Sequence, residues 1–174
     1  MSNYTRPKKP AATVFFTVNL AHRGTRLLVE HVQALRDSVM ITRRERAFVV
    51  DAWVVLPDHM HCIWTLPPED CDYSTRWQVI KARFSRQMTG VARRPSQVTR
   101  REHGIWQRRF WEHHIRDEAD YLAHLAYCWN NPVKHGHARA AGEWPHSTFR
   151  QFVDRGVYPM DWDDLGHTGG DFGE

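Results

Sequence analysis

The chain has 174 residues and carries 24 Lys and Arg against 20 Asp and Glu, a formal net charge of +4, with eight Trp, eight Phe and five Tyr. That length holds one domain with a substantial core and is short for two. The three cysteines, Cys62, Cys71 and Cys128, fall in no CxxC spacing, which excludes a disulfide framework and a cysteine-only zinc cluster. No apolar run approaches a membrane span and the N-terminus has no signal-like apolar stretch, so a cytoplasmic protein outside the membrane is expected.

The charge is unevenly spread. Five of the acids and none of the bases lie in 161–174, DWDDLGHTGGDFGE, leaving a formal +9 on the first 160 residues. A basic, aromatic-rich body points to a polyanionic partner, nucleic acid first.

In chain order, ATVFFTVNL (12–20) is a β-branched and aromatic run that predicts a strand. Residues 25–40 place Leu28, Val32, Leu35 and Val39 at helical spacing. AFVVDAWVVLP and HMHCIWTLP predict an antiparallel hairpin turning at Pro57-Asp58. DYSTRWQVIKARFSRQM predicts a helix capped by Asp72 or Ser74, with Trp77, Ile80, Phe84 and Met88 as its apolar stripe. Residues 89–104 are polar and basic and predict a loop. IWQRRFWEHHI (105–115) alternates as a strand, with Trp106, Arg108 and Phe110 on one face. A helix with acids in its first turn follows and is expected to stop near Asn131-Pro132. The order β-α-β-β-α-β-α is that of an α+β ferredoxin-like sandwich: an antiparallel sheet with helices on it, plus one additional helix near the C-terminus.

Period-two geometry puts His59 and His61 on one face of their strand, with Met60 and Cys62 on the other. Two imidazoles so placed can share a cation. On the last helix, His124, Tyr127 and Asn131 share a face. A tyrosine hydroxyl and an amide oxygen can thus enter one cleft, and with two imidazoles they form a mixed nitrogen and oxygen set suited to Mg²⁺ or Mn²⁺, or to Zn²⁺.

HMH resembles the histidine–hydrophobe–histidine (HUH) motif of single-strand DNA nucleases, and YCWNNP resembles the catalytic-tyrosine segment of single-tyrosine transposases. Together with AWVVLPDHMHCIWTLP, YSTRWQVIKARFSRQ and GIWQRRFWEHHIRDEADY, the pattern resembles the REP-associated tyrosine transposases from about Phe15 to Tyr158. The resemblance implies His59 and His61 as metal-binding histidines, Asn131 as a further metal ligand and Tyr127 as the nucleophile; His124 matches nothing in the pattern. It also implies a divalent metal, Mg²⁺ or Mn²⁺, and no nucleotide cofactor. The implied activity is a monomeric single-stranded DNA endonuclease and strand transferase that forms a 5′-phosphotyrosine on repetitive extragenic palindrome (REP) hairpins. The competing expectations are a hairpin-binding protein without turnover and a structural zinc protein using His59, His61 and cysteines.

The basic residues expected to hold DNA are Arg6, Lys8 and Lys9 in an N-terminal arm (1–11), Lys81, Arg83 and Arg86 on the second long helix, and Arg108 and Arg109 in the following strand. Arg93, Arg94, Arg100 and Arg101 add to them from the loop, and Trp106 or Trp111 can stack on a base. The single domain is expected to end at 158, before an acidic, disordered tail (159–174).

Overall fold

The structure, a computed structural model, describes residues 9–88 and 104–162. Strands β1 (Thr13–Asn19), β2 (Val49–Val55), β3 (His59–Thr65) and β4 (Trp111–His114) form one sheet in the order β2-β3-β1-β4, every neighbouring pair antiparallel. The helices are α1 (Leu27–Glu30), α2 (Val32–Glu45), α3 (Tyr73–Gln87), α4 (Glu118–Lys134) and α5 (Phe149–Asp154), with a 3-10 turn at Ala141–Glu143. This is the α+β ferredoxin-like arrangement, with β1 and β3 central.

Strand alternation builds two cores. Val14, Phe16 and Val18 of β1 and Met60, Cys62 and Trp64 of β3 pack under α2 and α3, where Trp64 stacks on Trp77 with centroids 4.2 Å apart. Phe15 and Ile63 face the other way, toward Leu125, Tyr127 and Trp129 of α4. The sheet is therefore covered on both sides, and α4 is the additional helix that closes its second face.

Local chemistry starts and ends these elements. Asp72 caps α3 by accepting from Thr75 N, and Asp117 caps α4 by accepting from Asp120 N. The expected helix at 25–40 breaks at His31 and then runs on to Glu45. Along it the Ser38 and Thr42 hydroxyls, buried at the end of the apolar stripe, are satisfied by donating to the Ala34 and Ser38 carbonyls.

Three other expectations shift. Pro132 does not stop α4, which continues to Lys134; Gly136 at φ +70° ends it, with His137 N donating to Pro132 O and Gly136 N to Val133 O, a Schellman motif. The strand expected over 105–115 shrinks to Trp111–His114, preceded by an isolated bridge between Leu20 and Trp106. Beyond that bridge Gln107 N still donates to Asn19 O, and the 108–110 backbone leaves the ladder, although Trp106 and Phe110 still share the α3-side core. Finally, packing passes residue 158: Trp162 lies against Tyr158, Phe149 and Trp129. The remainder of the acidic tail, Arg6, Lys8 and the arginines between 89 and 103, in the segment expected to be a loop, lie outside the described residues.

The exposed edge of β2 is sealed by the C-terminal segment. Val55 N donates to His146 O, Thr148 N to Trp53 O, and Trp144 Nε1 to Val55 O. Among the described residues, no helix is long and apolar enough to cross a membrane.

Candidate functional site

β3 begins at His59, directly after the Pro57-Asp58 turn, so His59 and His61 point toward the α4 side and lie opposite Asn19 and Thr17 of β1. Both are buried, at 2% and 0% exposure. Each has its Nδ1 anchored: His59 by the Asp58 carboxylate at 2.7 Å, His61 by the Thr17 hydroxyl at 2.9 Å. A carboxylate on Nδ1 selects the tautomer whose Nε2 carries the lone pair, as in metal-ligating histidines. Burial pulls the His59 pKa below the usual range and outweighs the opposing effect of Asp58. The ring thus stays neutral, the form that ligates.

Asp58 is itself held. It accepts from Gly24 N at 2.6 Å and pairs with Arg23 at 3.2 Å. Burial raises its pKa, but the bonds from His59 and Gly24 and the Arg23 charge outweigh it and the net shift is downward.

α4 brings the other wall. Its Cys128 thiol donates to the His61 carbonyl at 3.5 Å, and the Tyr127 ring meets the His61 ring edge-to-face with centroids 5.2 Å apart. Tyr127 is 3% exposed, and Asn131, one turn on, is 1% exposed. At the mouth, His135 lies 5.1 Å from the His59 ring, and the exposed Lys134 extends its ammonium to 3.4 Å from Tyr127 Oη. Histidine pair and tyrosine therefore adjoin, across the interface between β3 and α4.

No family model matches the chain. It is 47% identical over 162 residues to the REP-associated tyrosine transposase of Escherichia coli K12, covering 93% of this chain and 91% of that one. The chain belongs to the REP-associated tyrosine transposases. A Haemophilus influenzae protein assigned by name to the same group is 39% identical over 164 residues, covering 93% of each chain. A solved structure of a REP-associated tyrosine transposase bound to a REP hairpin superposes with a TM-score of 0.81 at 44% identity, covering all of this chain and 94% of the other.

The transposase family implies a metal, and the histidine pair fits one. The His59 and His61 rings stand 5.2 Å apart at 83°, so they are not confined to parallel directions, and both are oriented through Nδ1. A second group of donors, His113, Asp120 and His124, has its ligand atoms within 4.8 Å of one another. Its geometry is different. The His113 and His124 rings are stacked, 4.4 Å apart and 10° from parallel; His113 Nε2 bonds the Asp120 carboxylate at 2.8 Å, while His124 Nδ1 bonds the Asp120 backbone carbonyl at 2.8 Å and lies 3.2 Å from the carboxylate. Parallel rings at that separation suit two hydrogen bonds to Asp120 better than convergence on one cation. Asp120 also takes the Arg116 backbone N and guanidinium, so the cluster ties β4 to the start of α4. His124 is thus a buried network residue and not a solvated one.

Among the described residues, no cysteine belongs to a cluster of three or more His, Cys, Asp or Glu donors. Cys62 faces the opposite core from the histidines, and burial pushes its thiol and that of Cys128 well up.

The basic residues divide. α3 lies on the far side of the sheet from Tyr127, so Lys81, Arg83 and Arg86 are not brought to the histidine–tyrosine site. Arg83 forms a two-pronged pair with Glu45 and donates to Thr42, and Lys81 donates to Gln107 O and sits over the Trp106 and Phe110 rings. Lys9, Arg86, Arg108 and Arg109 are exposed. Among the residues beside the histidine pair that the sequence pattern does not single out are Arg23, which pairs with Asp58, Lys134 and His135, all exposed. Lys134 and His135 lie in the NPVKHGH run that ends α4, while Arg23 lies just after β1.

Proposed function

We propose that this transposase-family chain is a metal-dependent single-stranded DNA endonuclease and strand transferase that acts on REP hairpins through a covalent 5′-phosphotyrosine at Tyr127. The observation that carries the reading is the contact of the Tyr127 ring with His61, beside a histidine pair whose Nδ1 atoms are both anchored. Family membership and the hairpin seen with the solved relative support the substrate class.

His59 and His61, with Asn131 as an oxygen donor, would hold Mg²⁺ or Mn²⁺. Such an ion withdraws charge from a phosphate oxygen and orients the linkage for in-line attack. The chain supplies the rest. Tyr127 Oη forms a bond to phosphorus, the P–O3′ bond breaks, and the departing 3′-oxygen takes a proton from water while the phenol proton is lost to water. The reverse reaction rejoins a strand without nucleotide hydrolysis, because the phosphotyrosine keeps an activated ester. α4 fixes the nucleophile by packing on β3, so the attacking oxygen and the histidines keep one geometry. Lys9, Arg86, Arg108 and Arg109, together with Arg6 and Lys8, are proposed to follow the phosphate backbone away from the site. Lys81 and Arg83 would contribute only by leaving their internal partners.

The test is a covalent adduct on a denaturing gel after incubation with a REP-hairpin oligonucleotide and Mn²⁺. The adduct is expected to vanish in Tyr127→Phe and with EDTA. Tight hairpin binding with no adduct under any metal would instead favour the hairpin-binding protein without turnover.

A further inference from the structure

Lys134 closes α4 seven residues after Tyr127, roughly 10 Å along the helix axis. Its stem reaches back so that Nζ donates to Tyr127 Oη at 3.4 Å and lies 4.9 Å from the ring centroid. A cation in the last turn is favoured by the helix dipole anywhere on that turn. The dipole does not require the ammonium to return along the helix onto one aromatic ring. Cation–π attraction and the hydrogen bond to Oη do.

The position has a chemical consequence. An attacking oxygen in a near-attack arrangement stands about 3–3.5 Å from its target atom. A charge one hydrogen bond from that oxygen is then within a short side-chain movement of the non-bridging oxygens of the phosphate under attack. Lys134 is exposed, while Tyr127 is nearly buried, so the lysine is the part of this pair that a DNA strand meets first.

We propose that Lys134 binds the scissile phosphate of single-stranded DNA and neutralises the charge that gathers on its non-bridging oxygens as Tyr127 attacks. The inference rests on Tyr127 being the nucleophile. Without DNA the ammonium lies on Oη; with DNA it exchanges that partner for a phosphate oxygen and uncovers the nucleophile. Lys134 keeps all its protons throughout. Bond formation by Oη, loss of the P–O3′ bond and the two proton exchanges with water are those of the reaction given above.

Two measurements on the full chain test this, with a REP-hairpin oligonucleotide bearing a single-stranded flank. The first is the single-turnover rate of adduct formation at saturating DNA with Mn²⁺. Lys134→Met is expected to slow it about 100-fold, the usual loss for one preorganised charge-stabilising donor, and Lys134→Arg to recover most of it. The second is binding in the Tyr127→Phe protein, which requires no cleavage. Adding Lys134→Met is expected to lower the slope of log affinity against log salt by about one. A methylphosphonate at the cleaved linkage, which removes that phosphate's charge, should erase the difference between the two proteins.

An unchanged adduct rate with Lys134→Met overturns the inference when Tyr127→Phe abolishes the adduct. If no adduct forms at all, an unchanged salt slope overturns it. An adduct that survives Tyr127→Phe removes the nucleophile assignment and this inference with it.

Discussion

His61 of β3 and Tyr127 of α4 meet edge-to-face, ring centroids 5.2 Å apart and planes at 76°. The contact is held from both sides. Thr17 fixes His61 from the neighbouring strand, and the Cys128 thiol bonds the His61 carbonyl from the helix. The proposed chemistry requires the metal side and the nucleophile side of the site to stand together, and the packing of a sheet residue against a helix residue brings them together.

Asp58 tests the metal side. It touches no proposed ligand position except His59, whose Nδ1 it holds at 2.7 Å. Outer partners of this kind typically contribute 10–100-fold in metal affinity. Asp58→Ala is expected to weaken Mn²⁺ binding, measured by titration calorimetry, by about that factor while the circular dichroism spectrum is retained. Equal affinity in the two proteins would mean that His59 is not a ligand, or does not need its partner.

Asp120 tests what the second histidine cluster does. Burial raises its pKa, but hydrogen bonds from Arg116 and His113 outweigh this and hold the carboxyl well below the usual range. With the folded value depressed, the stabilisation is present above the unfolded carboxylate pKa, about 3.9, and is lost as pH falls through the folded value. Asp120→Asn removes the charge that holds the His113 and Arg116 donors and is expected to destabilise the fold at pH 7 by about 1 kcal/mol. The gap in melting temperature to the wild type should shrink between pH 4 and pH 2. A gap that keeps its size over that range would assign the stabilisation to another group. Zinc titration of the wild type at pH 7 should produce no stoichiometric binding that depends on Asp120.

Much of this arrangement was legible in sequence, for definable reasons. β1, the β2–β3 hairpin and α3 carry clean periodicity, and the alternation around Met60 correctly separates His59 and His61 from Cys62. The errors arise where a local rule met a tertiary one. Pro132 looked like a helix stop, but its ring fits in the last turn and Gly136 provides the true end. Lys134 reaches a partner seven residues back, beyond the i, i+3 and i, i+4 neighbours that helical spacing identifies. His113, Asp120 and His124 come from a strand and a helix joined by a short turn, and none of them is distinctive alone. Arg83 is expected from sequence to hold DNA; its pairing with Glu45, on a different helix, is invisible to helical spacing.

Arg83 therefore separates charge from function. With its guanidinium already bound to both Glu45 oxygens at 2.6 and 2.7 Å, Arg83→Ala is expected to leave the salt slope of hairpin binding unchanged. Arg108→Ala and Arg109→Ala, at exposed positions, are each expected to lower the slope by about one if they contact phosphate. A fall in slope for Arg83→Ala would mean that its guanidinium leaves Glu45 for phosphate when DNA binds.

Gly142 tests the C-terminal closure that seals β2. A Cβ there would overlap both Sδ and the backbone carbonyl oxygen of Met160. Gly142→Ala is expected to cost about 1–3 kcal/mol of stability by overpacking. Adding Met160→Ala should recover only part of it, because the backbone oxygen remains. Full recovery, or no loss in the single variant, measured by chemical denaturation, would show that the 141–162 segment moves aside easily.

The central claim is that Tyr127 becomes covalently joined to DNA. Trypsin releases the segment 117–134, which contains both Tyr121 and Tyr127. Burial and the nearby Asp51 charge raise the Tyr121 pKa, so it loses its proton less readily than a free tyrosine. The direct measurement is fragmentation mass spectrometry of that segment after reaction with a REP-hairpin oligonucleotide and Mn²⁺, followed by nuclease trimming. The account predicts a 5′-phosphonucleotide on Tyr127. The same mass on Tyr121, or an unmodified segment from protein that has cleaved its DNA, would contradict it.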